Sequence, residues 1–481
     1  MKLSDTPMEG RMKRYVLTTA LIAAVLLATG CRGGETRETA SPLPVQTEAG
    51  EATSRADASP GPHSAPELPP FIYTVRAYGG GGYDQFQCET MKQMGLEYVQ
   101  GLVDFSWVNL QRGYDIWKWE ATDAQMDALA KCGMKTIAFT ITPKLEGLHW
   151  DESVRRDDPR YVEAYGEFAY RLVERYHDHP AWSGLVTVWG GSSDVWGESW
   201  AGEPRVVVPL MNAAYDGIKR ADPNTIVAGF NMATTFTTGE DWKQWHERAF
   251  AFNPRFDWFG VQSHAVPPTM IIPDNIYAGL AGLTNVRRFL DEHGYADKPM
   301  WLNEGGFPYG EDLGGLPEDI HAQFVAETFL LAPALGIDLR GWVYFQYFDK
   351  TRNADDMGLM TTLAESDPPR PRLAWTALQT LFAQVSFFDY AFVSRISGEF
   401  NQPDPYVLLF ARPDGARLWA IFSPRVKKGE PVNQPTTIHI APAGRAILVS
   451  MLGEQLEVVA DANGNVTVAS SAEPVYVVAG R

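Results

Sequence analysis

An α/β architecture, a (β/α)8 barrel followed by an all-β domain of sandwich type, is predicted by three features of the sequence. Between Phe71 and about Gln384, short β-rich runs alternate with segments of helical pattern. The β-rich runs are Ile72–Tyr78, Glu97–Val103, Met134–Thr140, Leu185–Trp189, Thr225–Phe230, Phe259–Ser263, Met300–Asn303 and Trp342–Tyr347. Eight strands, each followed by a helix-sized segment, are the number such a barrel requires. After Phe387 the helical pattern stops, and alternating β segments separated by turn residues take over.

Taken in chain order, the first element is a targeting segment. Lys13 and Arg14 precede an apolar run from Tyr15 to Ala28, too short for a comfortable membrane span, and Ala28-Thr29-Gly30 lead into Cys31. Residues 1–31 therefore read as a signal peptide. The small residues before Cys31 resemble a bacterial lipobox, with Ala28 where Leu is usual and Leu27 one place early. Lipidation of Cys31 after cleavage would make the protein an extracytoplasmic, membrane-anchored lipoprotein. A plain secretory signal and an uncleaved anchor are the other readings of the same segment. Residues 32–70 are rich in Glu, Thr, Ser, Ala and Pro and nearly free of large apolar side chains, which predicts a flexible tether.

The barrel is expected over residues 71–385. Its clearest helix has Tyr161, Ala164, Tyr165, Phe168, Ala169, Leu172, Val173 and Tyr176 on one face, a spacing that marks these aromatics as core. Cys88 falls in the first turns of one helix and Cys132 in the last turn of the next. Parallel helices would separate them by roughly 10 Å along the axis, so they are expected to stay unpaired. The β domain, residues 386–481, comprises Tyr406–Ala411, Arg417–Phe422, Thr436–Ile440, Ala446–Met451, Val466–Ala469 and Val475–Val478.

Composition removes several classes of function. A net charge of −18 lacks the basic footprint that nucleic acid or an anionic membrane surface demands, so membrane contact is expected only through the N-terminal lipid. There is no zinc-type Cys/His spacing, no glycine-rich phosphate loop after a strand and no serine-centred elbow, so no metal or cofactor is expected. What stands out is Lys298-Pro-Met-Trp-Leu-Asn-Glu-Gly-Gly-Phe307. It reads as a buried strand that delivers one carboxylate, Glu304, to a loop. Paired carboxylates across a sugar ring are the machinery of glycoside hydrolysis.

Several segments in order resemble the clan-A glycoside hydrolases, the TIM-barrel superfamily that includes families five, ten, thirty-nine and forty-two. They are Trp107-Val-Asn-Leu-Gln111, Tyr114-Asp-Ile-Trp117, Asp123-Ala-Gln-Met-Asp127, Gly133-Met-Lys with Pro143, Ile218-Lys-Arg-Ala-Asp-Pro223, Val261-Gln-Ser-His264 and Trp301-Leu-Asn-Glu304. The series continues through Asp349, Gly358-Leu359 and Pro371-Arg-Leu-Ala-Trp375. This resemblance implies that Glu304, ending the seventh strand, is the nucleophile, and that Gln262 and His264 on the sixth strand lie near it and the sugar.

One motif departs from the pattern. The fourth strand of the clan ends in Trp-Asn-Glu-Pro, whose Asn binds the sugar 2-hydroxyl and whose Glu is the acid/base. Here the segment is Val188-Trp-Gly-Gly-Ser-Ser-Asp-Val-Trp-Gly-Glu-Ser199, so Trp189 is kept while Gly190 and Gly191 occupy the Asn and Glu places. The Arg often found on the second strand is also absent, with Gln100 near its place. Two residues stand as replacements for the acid. Glu198 follows the flexible Gly197 and is flanked by Trp196 and Trp200, apolar surroundings that raise a carboxyl pKa. Asp194 lies nearer the strand, and Glu198 is preferred over it. Arg76, at the end of the first strand, is the candidate cation to hold Glu304 ionised.

Trp107, Trp117, Trp150, Trp189, Trp196, Trp200, Trp242 and Trp245 cluster around the predicted loops. Indole faces stack on the C–H surfaces of sugars, and Trp189 and Trp196 are the best candidates for the cleft. Gln346, near the eighth strand, is placed to hydrogen-bond sugar hydroxyls. The expectation is a surface-anchored retaining glycoside hydrolase acting on a poly- or oligosaccharide, with Glu304 as nucleophile and Glu198 as acid/base. The alternative is a catalytically impaired glycan-binding barrel serving polysaccharide capture or assembly.

Overall fold

The computed structural model describes residues 68–77, 85–141, 147–189, 203–233, 241–263, 278–310, 316–345, 357–361, 365, 369–386, 392–397, 405–423 and 433–480. Eight strands close into a parallel barrel: β1 (Ile72–Arg76), β2 (Tyr98–Gln100), β3 (Lys135–Ile141), β4 (Trp182–Trp189), β5 (Ile226–Ala233), β6 (Trp258–Gln262), β7 (Met300–Gly305) and β8 (Leu339–Phe345). Each is followed by a helix: α1 (Gln85–Gln93), α2 (Glu120–Cys132), α3 (Pro159–Tyr176), α4 (Pro204–Ala221), α5 (Asp241–Phe250), α6 (Ala278–Glu292), α7 (Glu318–Leu331) and α8 (Leu373–Val385). Pairing of β1 with β8 completes the closure, with Ile72 opposite Gly341 and Arg76 opposite Phe345.

Alternation of side chains along each strand separates two cores. Ile72, Tyr98, Ile137, Leu185, Ala228, Trp301 and Val343 fill the barrel interior. The Trp301 indole takes up much of that volume. Gly341 makes room for it, since a Cβ there would lie 2.5 Å from the Trp301 ring and 2.5 Å from the Ile72 carbonyl oxygen. Outside the strands, helix-facing residues such as Val75, Val99, Val186, Val261 and Leu302 join the larger core under the helices.

The helix ends follow local chemistry. Asp158 caps α3, its side chain accepting the Arg160 backbone N–H at 2.9 Å, and Pro159 takes the first turn. The aromatic face of α3 is buried as its spacing predicts, except that Ala164 is only partly covered. Gly133 ends α2 in the left-handed conformation, φ 67°, its N–H bonding the Ala130 and Leu129 carbonyls. Helices α3 and α4 cross at glycines: a Cβ on Gly217 would lie 2.1 Å from the Gly166 carbonyl oxygen.

The cysteine expectation is overturned. Cys88 and Cys132 are joined as a disulfide, with Cα atoms 6.3 Å apart. Parallel helices with level ends would hold the two cysteines apart along the axis, but α1 is only nine residues long, so Cys88, its fourth residue, lies only about 7.5 Å from its C-terminal end. Lys92, one turn further on, already reaches Gly133, whose added Cβ would meet its Nζ at 2.8 Å.

Beyond the barrel lies a six-stranded antiparallel sheet of β9 (Phe392–Ser397), β10 (Tyr406–Ala411), β11 (Arg417–Phe422), β13 (Arg445–Val449), β14 (Gln455–Val459) and β16 (Val475–Ala479). A separate pair, β12 (Gln434–His439) with β15 (Asn465–Ser470), faces it. Tyr406, Leu408, Phe410, Phe422 and Tyr476 point into the core shared with the barrel helices. The intervening residues Val407, Trp419, Ile421 and Val477 pack with Ile438, Val466 and Val468 of the pair. Both faces of the central strands are therefore covered, which is why they read as nearly continuous apolar runs. Strands β9 and β14 are additions to the sequence reading; β14 has mostly exposed residues and little apolar signal to betray it.

Candidate active site

Glu304 owes its position to an irregularity in β7. Along β6, Val261 pairs with Leu302 and Gln262 with Glu304, so Asn303 is the extra residue of a β-bulge. A bulge re-aims a side chain at a strand end. Here it lets two consecutive residues serve the mouth of the barrel. Asn303 accepts a hydrogen bond from Gln100 Nε2 of β2 at 2.6 Å. The Glu304 carboxylate forms an ion pair with Arg76 of β1 and accepts from Gln262 Nε2 of β6 at 3.3 Å.

This constellation is drawn from β1, β2, β6 and β7 and sits at their C-terminal ends, where barrels of this type carry their chemistry. It is nearly closed to water, with Arg76 5% exposed and Glu304 8% exposed. A buried pair of this kind is poor evidence for stability, because desolvation offsets most of the attraction. Its value is geometric. The guanidinium and the Gln262 amide both contact Oε2, which fixes the carboxylate's direction and supplies its counter-charge. Gln100 is not a spare residue in this arrangement; its amide braces Asn303 from across the barrel.

A second bulge lies on β5, where Gly260 pairs with Phe230 and Val261 with Met232, leaving Asn231 extra. Phe230 and Asn231 both take positive φ, 72° and 95°. Asn tolerates that region better than most residues, whereas Phe does so at a cost. The Phe230 ring packs outward against Phe256, Phe259 and His246. The Asn231 backbone rolls over Gly260, whose added Cβ would lie 3.2 Å from Asn231 N. Asn231 is 1% exposed, and neither its amide oxygen nor its amide nitrogen has a partner among the described residues. Asn231 is not among the sequence-predicted site residues; an Asn following an apolar strand run is the one sequence signal that points to it.

Of the other expected site residues, Trp189 ends β4, where its backbone pairs with Ile141. Asp194, Trp196, Glu198, His264, Gln346 and Cys31 lie outside the described residues. Three of the clustered tryptophans are core: Trp107, Trp242 and Trp245 are 3%, 7% and 8% exposed. Among the described residues, no group of three His, Cys, Asp or Glu side chains is arranged to hold a metal ion.

No protein-family model and no curated protein matches the chain. Solved structures do. A family 39 glycoside hydrolase from the gut symbiont Bacteroides cellulosilyticus superposes with a TM-score of 0.61 at 14% identity, covering 86% of this chain and 83% of that one. A glucosidase from Croceicoccus marinus gives 0.61 at 13% identity over 86% and 97% of the two chains. A monomeric β-xylosidase from Caulobacter crescentus gives 0.58 at 14% identity over 86% and 97%. This chain thus has the fold of these glycoside hydrolases, a closed eight-stranded barrel with an appended β domain.

Proposed function

We propose that this protein is a retaining glycoside hydrolase that cleaves O-glycosyl bonds of a poly- or oligosaccharide. The observation that carries the reading is the Glu304 carboxylate, aimed by a β7 bulge and held by Arg76 and Gln262 at the barrel mouth. The fold shared with a xylosidase and a glucosidase supports it. In the proposed reaction Glu304 attacks the anomeric carbon and forms a glycosyl ester, while Glu198 gives a proton to the departing oxygen. Glu198 then takes a proton from water, which attacks the anomeric carbon, releases the sugar with retained configuration and frees Glu304. Retention calls for the two carboxyl groups to lie roughly 5 to 5.5 Å apart.

Glu304→Gln tests this directly. Turnover of the aryl glycoside that the wild type cleaves best is expected to vanish. Because Arg76 loses its counter-charge, stability is expected to fall as well, by up to about 3–5 kcal/mol, so the assay is read on protein whose fold is verified by circular dichroism. Unchanged turnover by the folded variant would sink the assignment. Should the wild type cleave nothing on a broad glycan panel yet bind one of its members, the second reading takes over. That reading, a binding barrel for polysaccharide capture or assembly, is favoured by Gly190 and Gly191 in the usual acid/base motif.

The proposal extends to location: the protein is tethered outside the cytoplasmic membrane through a lipid on Cys31, with residues 32–70 as spacer. Wild-type protein is expected to partition into detergent, and Cys31→Ser to move it to the aqueous phase. Partitioning that survives the substitution would count against lipidation.

A further inference from the structure

A groove of about 1010 Å³ runs along the outer flank of the barrel, over the seam between α3 and α4. Its floor is made shallow and smooth by the small residues of the helix crossing, Gly166, Ala213 and Gly217. Two hairpins overhang it. One, Gln111–Gly113 with Ile116–Trp117, follows β2; the other, Gly147–Leu148 with Asp151–Arg155, follows β3. None of the Glu304 constellation lines this groove, so it is separate from the candidate active site.

Its chemistry is that of a carbohydrate platform. Trp117 stacks on Trp119 at 5.3 Å with ring planes 3° apart, and Arg175 lies 5.2 Å from the Trp119 centroid. That stack holds the Trp117 indole, which also lines the groove. Tyr114, at the tip of the same hairpin, is 77% exposed, an unusual position for a large aromatic residue with no packing role. Below them Glu167 is shared by two arginines, bonded by Arg171 Nε at 2.8 Å and by Arg220 Nη2 at 2.5 Å. Donors and acceptors alternate along this row and hold one another in place. Vicinal hydroxyls, each able to donate and accept, match such a row, while the C–H face of a pyranose matches the indole. The carboxylates lining the groove outnumber its guanidinium groups, and the whole chain carries −18, which disfavours an anionic ligand. The volume suits several sugar units rather than one.

We infer that this groove is a second binding site, for a neutral polysaccharide, distinct from the Glu304 mouth. The inference stands whether or not the mouth is catalytic. It is tested by affinity electrophoresis of the full chain in mild detergent, carrying Glu304→Gln so that the polymer is not consumed, in gels cast with xylan, mixed-linkage β-glucan or polygalacturonate. Retardation by a neutral polymer is expected. Tyr114→Ala and Trp117→Ala should each weaken it about 3- to 10-fold, the scale of one aromatic stacking contact. Tyr114 is exposed enough that its variant should fold even if Trp117→Ala does not. Undiminished retardation of the folded variants would assign binding to the mouth and overturn the inference. Retardation only by polygalacturonate, or by no polymer, would overturn it equally.

Discussion

At the residue scale the decisive group is the one whose place the described structure does not include. Glu304 has a defined setting, but a retaining hydrolase also needs a proton donor, and the sequence resemblance implies that Gly190 and Gly191 take the places of the Asn and Glu of the clan-A pattern. Glu198 is the proposed substitute, and leaving groups discriminate it. If Glu198 protonates the departing oxygen, Glu198→Ala should slow hydrolysis of natural, poorly departing sugars by roughly 10²-fold or more. Glycosides of an acidic phenol need less protonation, so their first step should suffer less, and azide should restore the second. Equal losses on both substrate classes with no azide rescue would point instead to Asp194. The residues that hold Glu304 were partly legible beforehand. Arg76 and Gln262 end strands that the alternating pattern locates, whereas the Gln100–Asn303 contact depends on a register shift that no periodicity encodes.

At the scale of elements, two bulges and two glycine contacts shape the molecule around the mouth. The bulges on β5 and β7 flank β6 and turn Asn231, Asn303 and Glu304 out of simple alternation. The helix crossing at Gly166 and Gly217 shows how tightly small residues govern packing. A methyl group on Gly217 would strike the Gly166 carbonyl oxygen at 2.1 Å and the Tyr170 nitrogen at 3.0 Å, both backbone atoms that give way only if a helix moves. Gly217→Ala should therefore destabilise the protein by about 1–3 kcal/mol or more, the usual range for overpacking. Chemical denaturation is the check, and a midpoint equal to wild type would show that α3 and α4 separate freely. Aromatic spacing marked α3 as a buried helix, yet only the packed pair reveals why α4 has a glycine at that turn.

At the scale of the whole molecule, buried imidazoles make stability depend on pH. Burial lowers His246 from 6.5 to about 4 and His321 from 6.5 to about 3, so both stay neutral in the folded protein over a range in which the unfolded chain binds protons. The unfolded state then holds more protons, and stability falls with falling pH below 6.5. Each such group contributes a slope approaching 1.4 kcal/mol per pH unit. Denaturant melts between pH 6.5 and 5, above the range of most carboxylates, should show a loss of about 2–3 kcal/mol per unit toward the lower end; a flat profile would refute the two neutral histidines. The fold class, the eight strands of the barrel, the buried face of α3 and the acid at the end of the seventh strand were all determined by the sequence alone. They rest on periodicity and on neighbours within a few residues, which a single chain segment carries in full. Pairing of Cys88 with Cys132, the bulges that aim Glu304, the core role of Trp107, Trp242 and Trp245, and the groove that gathers Trp117 with Glu167 were decided only by the tertiary structure. Each depends on the offset between elements far apart in the chain, and that offset is set by how whole helices and strands pack rather than by any local preference.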